Sequence, residues 1–68
     1  MIDYSPLHET LKEKEMVISD LRGTILNART IANINKGMSV NLSTIEEICL
    51  HLDVPIEKVV KIVSIQEQ

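Results

Sequence analysis

The chain has 68 residues, with 7 Lys and Arg against 10 Asp and Glu, giving a formal charge of -3. Its 44% apolar fraction is almost wholly aliphatic, with one Tyr and no Trp or Phe. These figures predict one small domain over residues 1–68, burying roughly 60% of its unfolded surface, and exclude disorder, a membrane span and an intramolecular disulfide.

At the N-terminus Ile2 and Tyr4 alternate around Asp3, as in an extended arm. Ser5-Pro6 is a helix start, because a Ser can cap free amides and a Pro suits the first turn. A first helix is predicted over 6–15, with Leu7, Leu11 and Met16 inward and Glu9, Lys12, Glu13 and Lys14 in water. A short second helix is predicted over 18–24, with Leu21 inward and Gly23 as a stop or close-packing site. Asn27 is a good cap for a third helix, whose stripe is Ile31 and Ile34 and whose end is Lys36-Gly37. Its other face presents Ala28, Arg29, Asn33 and Lys36, with Thr30 at the shoulder.

After the loop Met38-Ser39-Val40, Asn41 is placed to cap a fourth helix. Ile45, Ile48, Cys49 and Leu52 face inward there, and Glu46, Glu47 and His51 outward. Pro55 starts a short fifth helix to about residue 60. The tail over 59–65 is β-branched almost throughout and reads as a strand, for which residues 2–4 are the intramolecular partner.

Charge is unevenly spread. Residues 1–20 sum to -3 and residues 46–68 to -3, whereas residues 21–45 hold no acid and carry Arg22, Arg29 and Lys36. An acid-free block between acidic flanks suggests a surface for an anion.

The catalytic inventory is thin. Cys49 sits on an inward stripe, as a buried structural thiol would. His8 and His51 lie on separate helices, and Cys49 with His51 lacks a second ligand pair for zinc. Gly23 and Gly37 are isolated, so no glycine-rich phosphate loop exists. The sequence therefore predicts no enzyme, no metal and no cofactor.

What remains is two short helices about a tight turn, within residues 18–36. The second exposes groups with a chemical use in a DNA major groove. An Arg can donate twice to guanine O6 and N7, an Asn can pair with adenine N6 and N7, and an Ala can pack on a thymine methyl.

The ordered residues resemble the lambda-repressor-like helix-turn-helix regulators, of Cro or Xre type, and their short single-domain branch above all. The resemblance runs through Met1-Ile2, Tyr4, Pro6-Leu7, Leu11-Lys12-Glu13-Lys14 and Asp20-Leu21. It continues through Asn27-Ala28-Arg29-Thr30-Ile31-Ala32-Asn33-Ile34-Asn35-Lys36-Gly37, Ser39-Val40, Thr44-Ile45, Ile48-Cys49 and Leu52-Asp53. It implies an all-α, five-helix DNA-binding domain, to which the strand reading adds paired termini. It further implies a transcriptional regulator, a repressor or Cro-like protein, acting as a homodimer on double-stranded DNA in a bacterial cytoplasm, nucleoid-associated or phage-encoded. Asn27, Ala28, Arg29 and Asn33 would read bases; Thr30, Lys36 and Ser39 would contact phosphates or edges, and Arg22 completes the expected DNA-binding set. Leu21, Ile31, Ile34, Ile45 and Ile48 would be core.

Three departures matter. His8 stands where a Trp is usual, and Val17-Ile18 replace a polar cap and a DNA-reaching Gln. Ile25 occupies the usual turn glycine, so either Gly23 serves in a shifted frame or the turn differs. Val17 and Ile18 leave open a second reading, in which the same fold is a modulator or antirepressor that binds a regulator protein without reading DNA.

Overall fold

The structure, a computed structural model, describes residues 1–64. In chain order it contains β1 (Ile2–Asp3), α1 (Ser5–Glu13), a first 3-10 helix (Ile18–Leu21) and α2 (Ala28–Asn35). Then follow α3 (Leu42–Leu52), a second 3-10 helix (Ile56–Lys58) and β2 (Lys61–Ile62). The all-α, five-helix expectation is thus corrected: the second and fifth helices are single 3-10 turns, and a two-stranded sheet joins the ends.

Both shortened helices have local causes. The Leu21 carbonyl accepts from the amides of Thr24, Ile25 and Leu26 and from the Thr24 hydroxyl, which closes the chain into a turn. Few residues separate Pro55 from the β-branched Val59-Val60, and the amides of Lys58 and Val59 bond three residues back, to Pro55 and Ile56.

β1 and β2 pair antiparallel, with Ile2 opposite Ile62 and Asp3 opposite Lys61. Beyond them Met1 and Val63 exchange two bonds of 2.9 Å, the terminal ammonium and the Val63 amide each donating. The predicted pairing of the ends is therefore present, though over a shorter stretch. Val59 is withdrawn from it because its side chain is wholly buried in the core. Ile65 lies outside the described residues.

Asp3, not Ser5, holds the start of α1. Its Oδ1 accepts from the Ser5 amide at 2.8 Å and the Ser5 hydroxyl at 2.6 Å, and Pro6 falls within the first turn. The helix ends at Glu13, before the predicted residue 15, because Glu15 turns left-handed at φ 59. The Met16 amide then closes back onto Leu11 O at 2.8 Å.

Tyr4, Leu7, Leu11, Leu21, Leu26, Ile34, Ile45, Ile48, Leu52 and Val59 form one buried core. With Tyr4 the only aromatic, the core is a set of branched aliphatic chains drawn from all three α-helices, the connection between α1 and α2, and the segment after α3. One buried strut crosses it: the Thr10 hydroxyl donates to Lys58 O at 2.6 Å, fastening α1 to the second 3-10 helix. Ile31 is half-buried against this core, not inside it. Cys49 is likewise half-buried, and burial with the nearby Glu57 charge pushes its thiol up. An ionised, nucleophilic sulfur is therefore disfavoured there.

Candidate nucleic-acid interface

The turn before α2 resolves the frame question. Gly23 is left-handed at φ 84, whereas Ile25 is absent from the positive-φ residues and packs half-buried against the core. Gly23 thus supplies the conformation that a β-branched residue resists. Leu26, which sequence reasoning left out of the core, is buried at 4% exposure and anchors the chain just before α2.

Asn27 caps α2 as predicted: its Oδ1 accepts from the Thr30 amide at 2.8 Å. That oxygen is therefore engaged, and the side-chain amide nitrogen is the part left to face a ligand. Ile34, at 1% exposure, pins the inner side of the helix, with Ile31 packed beside it. At 3.6 residues per turn, Ala32 and Lys36 fall nearly opposite Ile34. Ala28, Arg29, Ala32, Asn35 and Lys36 are all exposed, while Thr30 and Asn33 sit half-buried at the shoulders. Sequence reasoning missed Ala32 and Asn35; the helical period about the buried Ile34 was the signal that could have found them.

The helix ends where Gly37 turns left-handed at φ 74 and the Met38 amide bonds Asn33 O at 2.8 Å. The Tyr4 hydroxyl then donates to Met38 O at 2.7 Å, strapping the following loop to the N-terminal arm. Burial pushes the Tyr4 phenol up, which keeps it protonated as that donor. Beyond the strap, Ser39 and Asn41 are exposed. Asn41 is at the predicted cap position of α3 but makes no side-chain cap bond. Its amide side chain is therefore uncommitted, contrary to expectation.

Among the described residues, the one ion pair is Lys61 with Asp3 at 3.9 Å. Arg22, Arg29 and Lys36 thus carry no carboxylate partner, and Arg22 is exposed at the end of the first 3-10 helix, across the turn from α2. Asn33 and Ser39 likewise make no side-chain hydrogen bond among those in the described residues. The result is a helix face with small side chains at its centre, free cations and amides around it, and no acid of its own.

The opening of the first 3-10 helix is different. The Val17 amide donates to the Asp20 carboxylate at 3.0 Å, so an acid already occupies this end. Val17 itself is 61% exposed, but Ile18 packs against the core, so only one of the two apolar residues faces solvent.

With this geometry in place, the family comparison is direct. The family model for the Cro/C1-type HTH DNA-binding domain matches residues 6–64, and the chain belongs to that family. No curated protein and no solved structure gives a significant match. Within the matched span the first 3-10 helix, the Gly23 turn and α2 follow one another as two short helices about a tight turn. Among the described residues no helix is long and apolar enough to cross a membrane.

Proposed function

We propose that this protein is a sequence-specific, double-stranded DNA-binding transcriptional regulator, a repressor or Cro-like switch component. It reads the major groove with the helix bounded by Asn27 and Lys36. The observation that carries this reading is the exposed face of α2, whose Arg29 and Lys36 have no acidic partner and whose Ala28 and Ala32 permit close approach.

Arg29 donates to guanine O6 and N7, and Asn33 pairs with adenine N6 and N7. Ala28, with Ala32 beside it, packs on thymine methyls. Arg22, Thr30, Lys36 and Ser39 fix the register on phosphates, and Asn27 adds its free amide nitrogen. So few cations on this side of each chain neutralise few phosphates, giving a log–log salt slope of only about 0.9 for each phosphate contacted. The working form is therefore a homodimer, which doubles the contacts and places two α2 helices about 34 Å apart. Its setting is the bacterial cytoplasm, whether the gene is cellular or phage-borne. It works without enzymatic activity or a cofactor, as one domain over residues 1–68.

Selection from random duplexes at low salt tests this reading. A reproducible consensus, lost with Arg29→Ala or Asn33→Ala at unchanged melting temperature, is the expected result. Failure to enrich any sequence would overturn it.

One observation favours the modulator reading: Val17 is exposed at a place where Asp20 already occupies the helix opening. On that reading a regulator protein, not DNA, meets this end. A co-purifying protein partner, lost with Val17→Asp and coupled with no enrichment of DNA, would establish it.

A further inference from the structure

We infer that His8 contacts the DNA backbone: with Lys36 it holds one phosphate in the hollow between the start of α1 and the end of α2, and its protonation makes DNA affinity depend on pH. The inference deepens the regulator reading proposed above and rests on it. His8 has no part in that reading as it stands.

Two fixed points build the hollow. Leu7 and Leu11 are buried and set the roll of α1, which leaves the neighbouring His8 exposed. The bond from the Tyr4 hydroxyl to Met38 O ties the residue before α1 to the loop leaving α2. His8, Asn35, Lys36 and Gly37 thereby line one hollow of about 370 Å³ beside the N-terminal arm. Gly37 has no Cβ, and the place where one would stand is open space, so an oxygen can approach that wall.

The basic groups of the hollow are uncommitted. Among the described residues neither His8 nor Lys36 makes a side-chain hydrogen bond or an ion pair. Met1 also lines the hollow, and its terminal ammonium donates to Val63 O. Asp3 is the one acid in the lining, and its carboxylate is already engaged by the Ser5 amide, the Ser5 hydroxyl and Lys61. The α1 acids Glu9 and Glu13 line a different hollow, against the second 3-10 helix. Lys12, one turn beyond His8 on α1, is exposed and adds a like charge nearby.

Continuity with the reading face names the occupant. Lys36 belongs both to this hollow and to the exposed face of α2, so an anion held here lies at the edge of the groove that α2 enters. Phosphates line that edge, and a protonated imidazole meets one with a full charge and two N–H donors. A neutral imidazole has one donor and no charge. Histidine is the side chain that crosses between these forms from about pH 8 to about pH 5.

Fluorescence anisotropy of the full chain on the selected duplex, from about pH 8 to about pH 5.5, tests the inference. Wild-type affinity should rise roughly fivefold per protomer towards the acid end, the worth of one exposed ion pair. The log–log salt slope should steepen there by about 0.9 per protomer. His8→Gln should keep the alkaline affinity at every pH, and His8→Lys should hold the acid-end affinity throughout. His51→Gln, exposed on α3 and outside the hollow, should retain the wild-type pH dependence. Melting temperature should be unchanged in all three, because each replaces an exposed side chain.

A wild-type affinity that ignores pH would overturn the inference and leave the DNA reading standing. So would an undiminished rise in His8→Gln, or a rise lost in His51→Gln instead. If random selection enriches no sequence, the regulator reading falls, and the same titration on a mixed-sequence duplex decides the contact by itself. A rise that needs His8 supports it there, and no binding at any pH overturns it as well.

Discussion

α1 and α2 are nearly equal in length, nine and eight residues, yet their exposed faces differ in kind. On α1, Glu9, Lys12 and Glu13 mix the two signs on long side chains, the usual surface of a solvated helix. On α2, Arg29 and Lys36 flank two alanines, with asparagines beside them and no acid. Exposure and charge alone do not separate the two helices. Sign and size do: α2 presents only cations and amides around a flat centre, the condition for entering a groove lined by phosphates.

The most drastic way to erase that contrast is to give α2 the character of α1. Ala32→Glu puts an acid and a long chain at the centre of the face, and like-charge juxtaposition with DNA costs several kcal/mol. Affinity for the selected duplex should fall by about 100-fold or more, measured by fluorescence anisotropy. Lys12→Glu, an acid gained on α1, should change it little. A similar fall for both would show that overall charge, not the α2 face, governs binding.

Next in size is Arg29→Ala, which on the proposed reading removes a two-bond pairing to a base and should cost about 1–3 kcal/mol of discrimination there. Thermal melting should be unchanged, because Arg29 is exposed and unpaired. The committed polar groups should behave in the opposite way. Tyr4→Phe removes the strap to Met38 O, and Thr10→Val the strut to Lys58 O; each should lower stability by about 1 kcal/mol in urea unfolding. A weakened protein–DNA complex at unchanged stability in Thr10→Val would contradict the division between scaffold and reading face.

Much of α2 was legible in the sequence because its signals are local. Asn27 accepts from an amide three residues on, and Gly37 takes the left-handed conformation that ends the helix. The pairing of the chain ends was also legible, from the β-branched tail and the alternating arm. What was hidden depends on contacts distant in sequence or on competition between neighbours. The cap of α1 passed from Ser5 to Asp3 because the strand places that carboxylate over the helix start. The second helix collapsed to one turn because several donors converge on the Leu21 carbonyl, which no periodicity encodes. The outer face of α2 was set one position away from the expected one, with Asn33 at its shoulder and Ala32 at its centre, because Ile34 alone is deeply buried there.

Smaller effects come from single charges. Lys36→Gln should reduce the log–log salt slope by about 0.9 per protomer, while base preference stays the same. The Asp3 carboxyl is held below the usual range, chiefly by the Ser5 hydroxyl, then by the Ser5 amide and more weakly by Lys61. Because its pKa is lower folded than unfolded, its contribution is present above the unfolded value and is lost as pH falls through the folded one. Asp3→Asn should therefore flatten the acid limb of melting temperature against pH, below about pH 4, and leave DNA affinity at neutral pH unaltered.

Whether α2 reads bases is decided by a base-by-base comparison at the selected site. Wild-type chain and Asn33→Ala are titrated against duplexes carrying each of the four base pairs at every position. If Asn33 pairs with an adenine, Asn33→Ala loses discrimination of about 1–3 kcal/mol at one adenine position and keeps it elsewhere. Uniform weakening at all positions, or an unchanged profile, would contradict base reading by this helix.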